Sequence, residues 1–353
     1  MKENVFVGVS GGVDSSVALL RVLKAGHKAT AVFIKTWQPD FITCNWEKER
    51  LDAMRVAAHL EVPFITFDGE NAYKNEVADY MIREYTLGRT PNPDVMCNQH
   101  VKFGVFLRFA LAQGATKIAT GHYAEVQMHN GRYTLLRGID SDKDQSYFLW
   151  TLSQEQLAHT FFPIGDTKKP DIRIEAERAA LPTFKKHDSQ GICFLGPVDI
   201  KDFLSHYVDG APGDVLNEEG SVIGTHTGAL YYTLGQRHGF SILPSQDSSL
   251  PYYVVGKDMV TNTLTVSVTP RTCTNTRITL SDMNVIAPVL PEICEAQFRY
   301  RQKPFNVTVE MTVDSRGMLT VQDAHVDMPS VGQSCVLYAG RECLGGGIIN
   351  DIV

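Results

Sequence analysis

Two sets of residues in this chain have the types and spacing to do chemistry. The first is Ser10-Gly11-Gly12-Val13-Asp14-Ser15-Ser16. It follows the apolar run Val5-Phe6-Val7-Gly8-Val9, which reads as a buried strand. It opens a helix in which Val13, Val17, Leu20 and Leu23 recur at helical spacing until Gly26. A strand that enters a helix through a glycine turn makes an anion site, because uncapped N–H groups and the positive end of the helix dipole converge there. Gly11 and Gly12 permit close backbone approach, and the hydroxyls of Ser10, Ser15 and Ser16 add donors. The lysine that meets β- and γ-phosphates in a Walker A loop is missing from the turn, and Asp14 stands there instead. A carboxylate beside phosphates makes sense if it helps hold Mg²⁺ near a pyrophosphate.

The second set is a pair of cysteines in polar surroundings. Thr90-Pro91-Asn92-Pro93-Asp94-Val95-Met96-Cys97-Asn98 reads as a proline-stiffened loop in which helix is denied and Asp94 and Cys97 are presented rather than buried. In Lys185-Lys186-His187-Asp188-Ser189-Gln190-Gly191-Ile192-Cys193-Phe194 a cysteine follows a basic, turn-rich run, and the nearby Lys and His favour its thiolate. Cys44, Cys273, Cys294, Cys335 and Cys343 read as small buried hydrophobes. A site that cleaves ATP together with two cysteines suggests one chemistry. ATP turns a carbonyl oxygen into a leaving group. One cysteine delivers persulfide sulfur to the activated carbon while the other assists by thiol–disulfide exchange. Two rivals stay open: nitrogen transfer to a free nucleotide or amino acid, which needs no cysteine pair, and a non-catalytic RNA binder that uses ATP as a conformational ligand.

The elements that must position these groups alternate along the first part of the chain. The pattern predicts strands at Val5–Val9, Ala31–Trp37, Val62–Phe67 and Lys117–Thr120. Helices are expected over Ser15–Lys24, Glu47–Leu60, Glu70–Thr86 and Val101–Gln113. Strands joined by crossover helices form a parallel sheet covered on both faces, with ligands at the carboxyl ends of the strands. The glycine turn and Gly121-His122 both fall at such ends. Asn130-Gly131 between two alternating runs signals a hairpin. Helices resume at Gln154–His159, Asp171–Ala180 and Val198–Val208, with loop over Lys185–Gly196. Near Gly210 the composition shifts to turns between short β-prone pieces. From Arg277 the chain is strand-like, with Val307, Val309, Met311 and Val313 alternating before a turn at Ser315-Arg316-Gly317, as in a small barrel.

A chain of 353 residues is too long for one ordinary core. Three domains are expected: residues 1–200 carrying the chemistry, 201–272 a small β-rich unit, and 273–353 a β-barrel. Hydrophobic residues at 43% and charged ones at 21% describe a soluble globular protein. No apolar run reaches the roughly 18 residues a membrane span needs. The strand signal almost at the first residue leaves no room for a leader, so a cytoplasmic location is expected. Seven scattered cysteines without a Cys-x-x-Cys pair do not make a disulfide framework or a zinc site. The formal charge of −7 excludes a uniformly basic surface but not a local basic patch for nucleic acid.

The glycine turn resembles the pyrophosphate loop of the N-type ATP pyrophosphatases, which cleave ATP to AMP and PPi. Further blocks follow in order: Gly88 to Asp94, Cys97-Asn98, Lys102-Phe103, Thr120-Gly121-His122-Tyr123, Lys143 to Leu149, Gly191 to Phe194, Tyr232 to Arg237, and Cys343 to Gly347. With these, the chain resembles the tRNA-specific 2-thiouridylases from end to end. The resemblance implies a doubly wound α/β pyrophosphatase domain, a central β-rich domain and a C-terminal β-barrel. It implies ATP contacts at Gly8, Val9, Ser10, Gly11, Gly12, Val13, Asp14, Ser15, Ile34 and Gly121, where Ile34 replaces the family's usual Met. Asn92, Pro93 and Asp94 would meet the target uridine, with Asp94 as acid–base group. Cys97 would be the nucleophile and Cys193 the persulfide carrier. His122, Lys143, Asp144, Gln145, Arg299, Tyr300 and Gln333 would contact tRNA. The implied partners are ATP with Mg²⁺, the tRNAs for Lys, Glu and Gln, and a cysteine desulfurase or relay protein as sulfur donor. No resident metal cluster is implied.

Overall fold

The computed structural model describes residues 2–42, 46–188, 191, 193, 196, 198–244, 246, 249–312 and 316–353. Cys44, Val313, Ser315, Ile192 and Phe194 lie outside the described residues. The first seven strands are β1 Asn4–Gly8, β2 Lys28–Lys35, β3 Phe64–Asp68, β4 Lys117–Ala119, β5 Ala124–His129, β6 Arg132–Arg137 and β7 Thr160–Phe161. Five of them form an all-parallel sheet in the order β3-β2-β1-β4-β7. The period of two along β1 divides its side chains between two cores. Val5, Val7 and Val9 pack with Leu19, Ala53 and Val56 from helices Val13–Lys24 and Trp46–His59. Phe6 packs on the other face with Tyr73, Val77 and Phe106. Each such buried side chain contributes about 1.5–3 kcal/mol of transfer free energy, which is why a doubly wound sheet results. The chain leaves β1 toward β2 and β3 and returns on the other side as β4, so the β1/β4 boundary is the topological switch point.

The predicted helix over Glu70–Thr86 is present with a π-helical segment at Lys74–Ala78 between α-helical Glu70–Tyr73 and Asp79–Thr86. The expectation for Thr90–Asn98 is corrected. Pro93 begins a short helix, Pro93–Met96, which runs directly into a π-helical segment at Cys97–Val105 and an α-helix at Phe106–Ala112. Proline denies helix only in an interior; at the first helical position its missing N–H costs nothing. Asn92 supplies the cap, its Oδ1 accepting from the Val95 N–H at 3.3 Å. Cys97 therefore lies on a helix and is fully buried.

The Asn130-Gly131 hairpin forms as β5 and β6, both turn residues having positive φ (49° and 79°). It does not join the parallel sheet. Its β6 pairs with strand Glu342–Ile352 of the C-terminal unit through Leu136↔Glu342 and Leu135↔Cys343. That unit is a closed six-stranded barrel of Arg277–Val285, Gly317–Val321, Phe305–Met311, Ile293–Gln297, Ser334–Ala339 and Glu342–Ile352, the first and last strands pairing to close it. Closure needs glycine at the seam: a Cβ on Gly345 would stand 2.1 Å from the Asn284 carbonyl oxygen. Between the two lies a five-stranded sheet in the order Ser241–Ile242, Val222–His226, Gly213–Leu216, Thr263–Ser267, Tyr253–Asp258. No helix among the described residues is long and apolar enough to cross a membrane.

Candidate active site

The glycine turn sits at the carboxyl end of β1. Gly12 caps helix Val13–Lys24 without a side-chain bond, which leaves the N–H groups of the first turn to a ligand. Gly11 has φ of 74°, and a Cβ there would lie 2.6 Å from the Glu49 carbonyl oxygen, so both backbone and space require glycine. The hydroxyls close the turn: Ser10 and Ser15 Oγ atoms are 3.2 Å apart, and Ser16 Oγ donates to the Gly12 carbonyl at 2.7 Å. Gly121, one residue beyond Thr120 at the end of neighbouring β4, presses on the same turn. A Cβ on it would meet Ser15 N at 2.7 Å. Ile34 is buried at the penultimate position of β2. Asp14 is engaged by two groups the sequence reading did not single out as partners. Lys169 Nζ lies 2.7 Å and 2.8 Å from its two oxygens, and the Tyr123 hydroxyl donates to it at 2.8 Å.

The thiol end joins a cysteine on a helix, Cys97, to one in a turn, Cys193. Cys97 and Cys193 are both free cysteines, with sulfurs 3.7 Å apart and the Cys97 thiol donating to Cys193. The backbone of Cys193 is held at both polar groups. Its N–H donates to Asp94 Oδ1 at 2.8 Å, and its carbonyl accepts from the Tyr73 hydroxyl at 2.8 Å. The two thiols are driven apart in acidity. Burial pushes Cys97 well above the ordinary thiol value. The hydrogen bond from Cys97, aided by the Lys102 ammonium, holds Cys193 down at about 7 against its own burial. Burial also raises the Asp94 carboxyl. His122 is pushed well below its usual value by burial and by Lys102, so it is neutral; Thr120 Oγ1 is 2.8 Å from its Nδ1 and Lys102 Nζ 3.5 Å from its Nε2. The four cysteines Cys273, Cys294, Cys335 and Cys343 are buried, as expected.

One short stretch ties the two ends together. Gly121 touches the phosphate turn, His122 meets Lys102, and Tyr123 bonds Asp14. Successive residues leaving β4 thus serve opposite halves of one site. A chain of ions runs in parallel: Lys169 bridges Asp14 to Asp188, and Lys143 and Arg173 also bind Asp188, five residues before Cys193. Among the described residues no cluster of three or more His, Cys, Asp or Glu could hold a metal ion.

Residues 3–197 match a family profile described as tRNA methyl transferase HUP domain, 201–268 one described as tRNA methyl transferase PRC-barrel domain, and 275–349 one described as Aminomethyltransferase beta-barrel domain. The tRNA-specific 2-thiouridylase MnmA of Alkalilimnicola ehrlichii is 43% identical over 98% of this chain and 97% of its own length. MnmA 2 of Geobacillus kaustophilus is 43% identical over 99% and 95%, and MnmA of Enterococcus faecalis 42% over 99% and 96%. This chain belongs to the tRNA 2-thiouridylase family.

The positions that the family resemblance assigns to RNA are spread unevenly. Asn92 and Pro93 stand half-buried at the start of the helix bearing Cys97, beside Asp94. Gln333 donates to the Thr90 carbonyl at 3.5 Å, and Val331 accepts from Thr90 N–H at 2.8 Å, so the barrel braces this segment. Tyr300 packs on Phe148 with ring centroids 4.6 Å apart, and Arg299 donates to the carbonyls of Leu234 and Met328. Lys143 pairs with Asp188, and Gln145 accepts from the Tyr123 N–H. Asp144 differs from the expectation. It is buried and bonds Arg137, Gly138 N–H, Ser146 N–H and Ser146 Oγ, so it shapes the turn from inside. His122 is likewise buried among its own partners. Lys169 and Lys102 were missed as site residues. The only signal for either was its place in a family block or helix start, because a lone lysine carries no local signature.

Proposed function

We propose that this chain is an ATP-dependent sulfurtransferase that converts the wobble uridine of the tRNAs for Lys, Glu and Gln to 2-thiouridine, releasing AMP and PPi. The observation that carries the reading is the thiol pair, 3.7 Å apart and split in acidity, joined through Lys102 and His122 to the stretch after β4 whose Gly121 packs against an uncapped glycine turn. The turn N–H groups and hydroxyls bind the phosphates of ATP, and Gly121 and Ile34 line the nucleotide side. Asp14, a hard oxygen donor at the turn, is the group that would hold Mg²⁺; the ion would supply charge neutralisation at the phosphates. The base is splayed into the cleft, where Asn92, Pro93 and Asp94 meet it.

Sulfur enters at Cys193. Its thiolate attacks the outer sulfur of a donor persulfide, from a cysteine desulfurase or relay protein, giving a Cys193 persulfide and the donor thiolate. The terminal sulfur then attacks the adenylated C2 carbon and AMP departs with the original oxygen. Cys97 attacks the Cys193 sulfur, breaking the S–S bond so that sulfur stays on the base. This leaves a Cys97–Cys193 disulfide, which a thiol reductant resets. Forming it requires the sulfurs to close from 3.7 Å to about 2.05 Å. Asp94, protonated more readily through burial, handles protons at the base. Use of ATP, tRNA and a thiol reductant fits a cytoplasmic enzyme.

A single-turnover assay with ATP, Mg²⁺, a persulfide donor and unmodified tRNA for Glu tests this. Wild type should release PPi and form 2-thiouridine, while Cys97→Ser and Cys193→Ser form none. PPi without thiolated base in every sample would point to nitrogen transfer or another acceptor instead.

A further inference from the structure

Cys193 carries an unusual demand: its sulfur must stay anionic although burial opposes the charge. The basic run that precedes it in sequence does not meet that demand. Lys186 is paired with Asp52 at 3.0 Å, and Lys185 lies over the Phe184 ring. His122 is neutral. The cation facing the pair among the described residues comes from another element. Lys102 lies five residues after Cys97 on the π-helical segment Cys97–Val105. In an α-helix that spacing would turn the two side chains about 140° apart. In a π-helix the carbonyl of residue i bonds the N–H of residue i+5, so the residues stack on one face; Phe106 N–H here meets the Val101 carbonyl. The π segment thus puts Lys102 on the face that carries Cys97, its ammonium 3.5 Å from His122 Nε2 and acting on Cys193 by charge and hydrogen bond.

We propose that Lys102 is the counter-ion of the sulfur that Cys193 carries, holding it as thiolate before loading and as perthiolate after, and that the π-helical segment exists to place it. This rests on the sulfur-transfer reading above. Lys102 stays protonated throughout, so it moves no proton and takes no electron. It lowers the energy of the anion that attacks the donor sulfur and then of the one that attacks C2. The acidity of the neighbours is consistent. Burial works against a charged Lys102, but the sulfurs of Cys193 and Cys97 raise its pKa above the ordinary lysine value. The other titratable groups facing it are Asp94 from helix Pro93–Met96, Tyr73 from helix Glu70–Tyr73, and His122 beyond β4. Asp94 alone adds negative charge there, and it raises Cys193 rather than lowering it. Without Lys102 nothing else named would offset burial except the Cys97 hydrogen bond.

The test is the pH profile of Cys193 alkylation, followed by peptide mapping, in wild type, Lys102→Met and Lys102→Arg. Wild type should show a midpoint near 7. In Lys102→Met the midpoint should rise by a unit or more, at least about fivefold slower labelling at pH 7, while Lys102→Arg should restore most of the rate. An unchanged midpoint in Lys102→Met would overturn the proposal, as would an equal rise in both variants. If Lys102→Met does not fold, the converse measurement stands in for it. Selective ¹⁵N-lysine NMR should show the Lys102 ammonium titrating at lower pH in Cys193→Ser than in wild type, and no change would overturn the idea. Product formation is scored separately. Thiolation by wild type with no alkylation shift in Lys102→Met refutes the counter-ion alone, whereas a clear shift with no thiolation by any protein refutes the reading it rests on.

Discussion

The phosphate end and the thiol end of this site are made in opposite ways. At the turn Ser10–Ser16 the working groups are backbone N–H groups, and the side chains around them are small or absent so that a ligand can approach. At the thiol end the working groups are side chains, Cys97 on a packed helix and Cys193 in a turn, and the backbone serves only to pin Cys193 between Asp94 and Tyr73. A backbone site tolerates no added atoms, and its N–H groups need no tuning of acidity. A side-chain site depends on tuning: two identical thiols 3.7 Å apart differ because one is sealed in the core and donates to the other. Substitutions should therefore damage the two ends through different steps.

The sharpest separation should come from Cys97→Ser. It should lose thiouridine formation by at least ~10³-fold yet still accept persulfide on Cys193, read by mass spectrometry of the loaded protein. Loss of loading as well would merge the two roles. Asp94→Asn comes next. The amide still offers an oxygen to the Cys193 N–H, so Cys193 should alkylate with its midpoint unmoved or slightly lower, because a negative neighbour is removed. Thiolation should nevertheless fall about 10²–10⁴-fold if Asp94 handles protons at the base; equal activity would reduce Asp94 to a tether. Gly121→Ala drives a methyl group to 2.7 Å from Ser15 N and should cut ATP-dependent PPi release about 100-fold. Its Cys193 alkylation should match wild type, and a shift there would show that the ends are not independent.

Persulfide loading should follow Cys193 ionisation in sign. A thiol whose pKa is lowered is anionic above that value, so loading should be near its plateau at pH 8 and about tenfold slower at pH 6. A rate that falls as pH rises from 6 to 8 would contradict the assignment. The smallest effect should come from Gly131→Ala in the hairpin, where φ is 79° and no atom lies within 4 Å of the new methyl. It should lower stability by about 1 kcal/mol through backbone strain, read in a thermal melt, with thiolation unchanged.

The same contrast explains what the sequence made legible. A glycine turn between an apolar run and a periodic helix is a local pattern, so the phosphate end could be read with its residues in place. The alternating strands and helices up to β4 were equally local, apart from end shifts such as β2 stopping at Lys35 rather than Trp37. The thiol end could be named but not built. Pro91 and Pro93 read as loop because proline forbids helix interiors, and nothing local says that Pro93 would be a first residue. The π-helical stretch has no sequence signature, so the alignment of Lys102 with Cys97 was invisible. The lysines before Cys193 pointed to the wrong cations, since Lys186 is taken up by a tertiary partner, Asp52, and Lys185 lies over its neighbour Phe184. The hairpin was legible from Asn130-Gly131, but its attachment to the barrel through Glu342 and Cys343 depends on partners some 200 residues away.

The division of labour between the two cysteines is the central claim, and one labelling experiment tests it directly. Wild-type protein is loaded with ³⁵S-persulfide donor at pH 7.5, without tRNA, then trapped by alkylation and digested. The account predicts label on the Cys193 peptide, unchanged in Cys97→Ser and absent in Cys193→Ser. Label on Cys97 in the wild type, or loading that persists in Cys193→Ser, would contradict it.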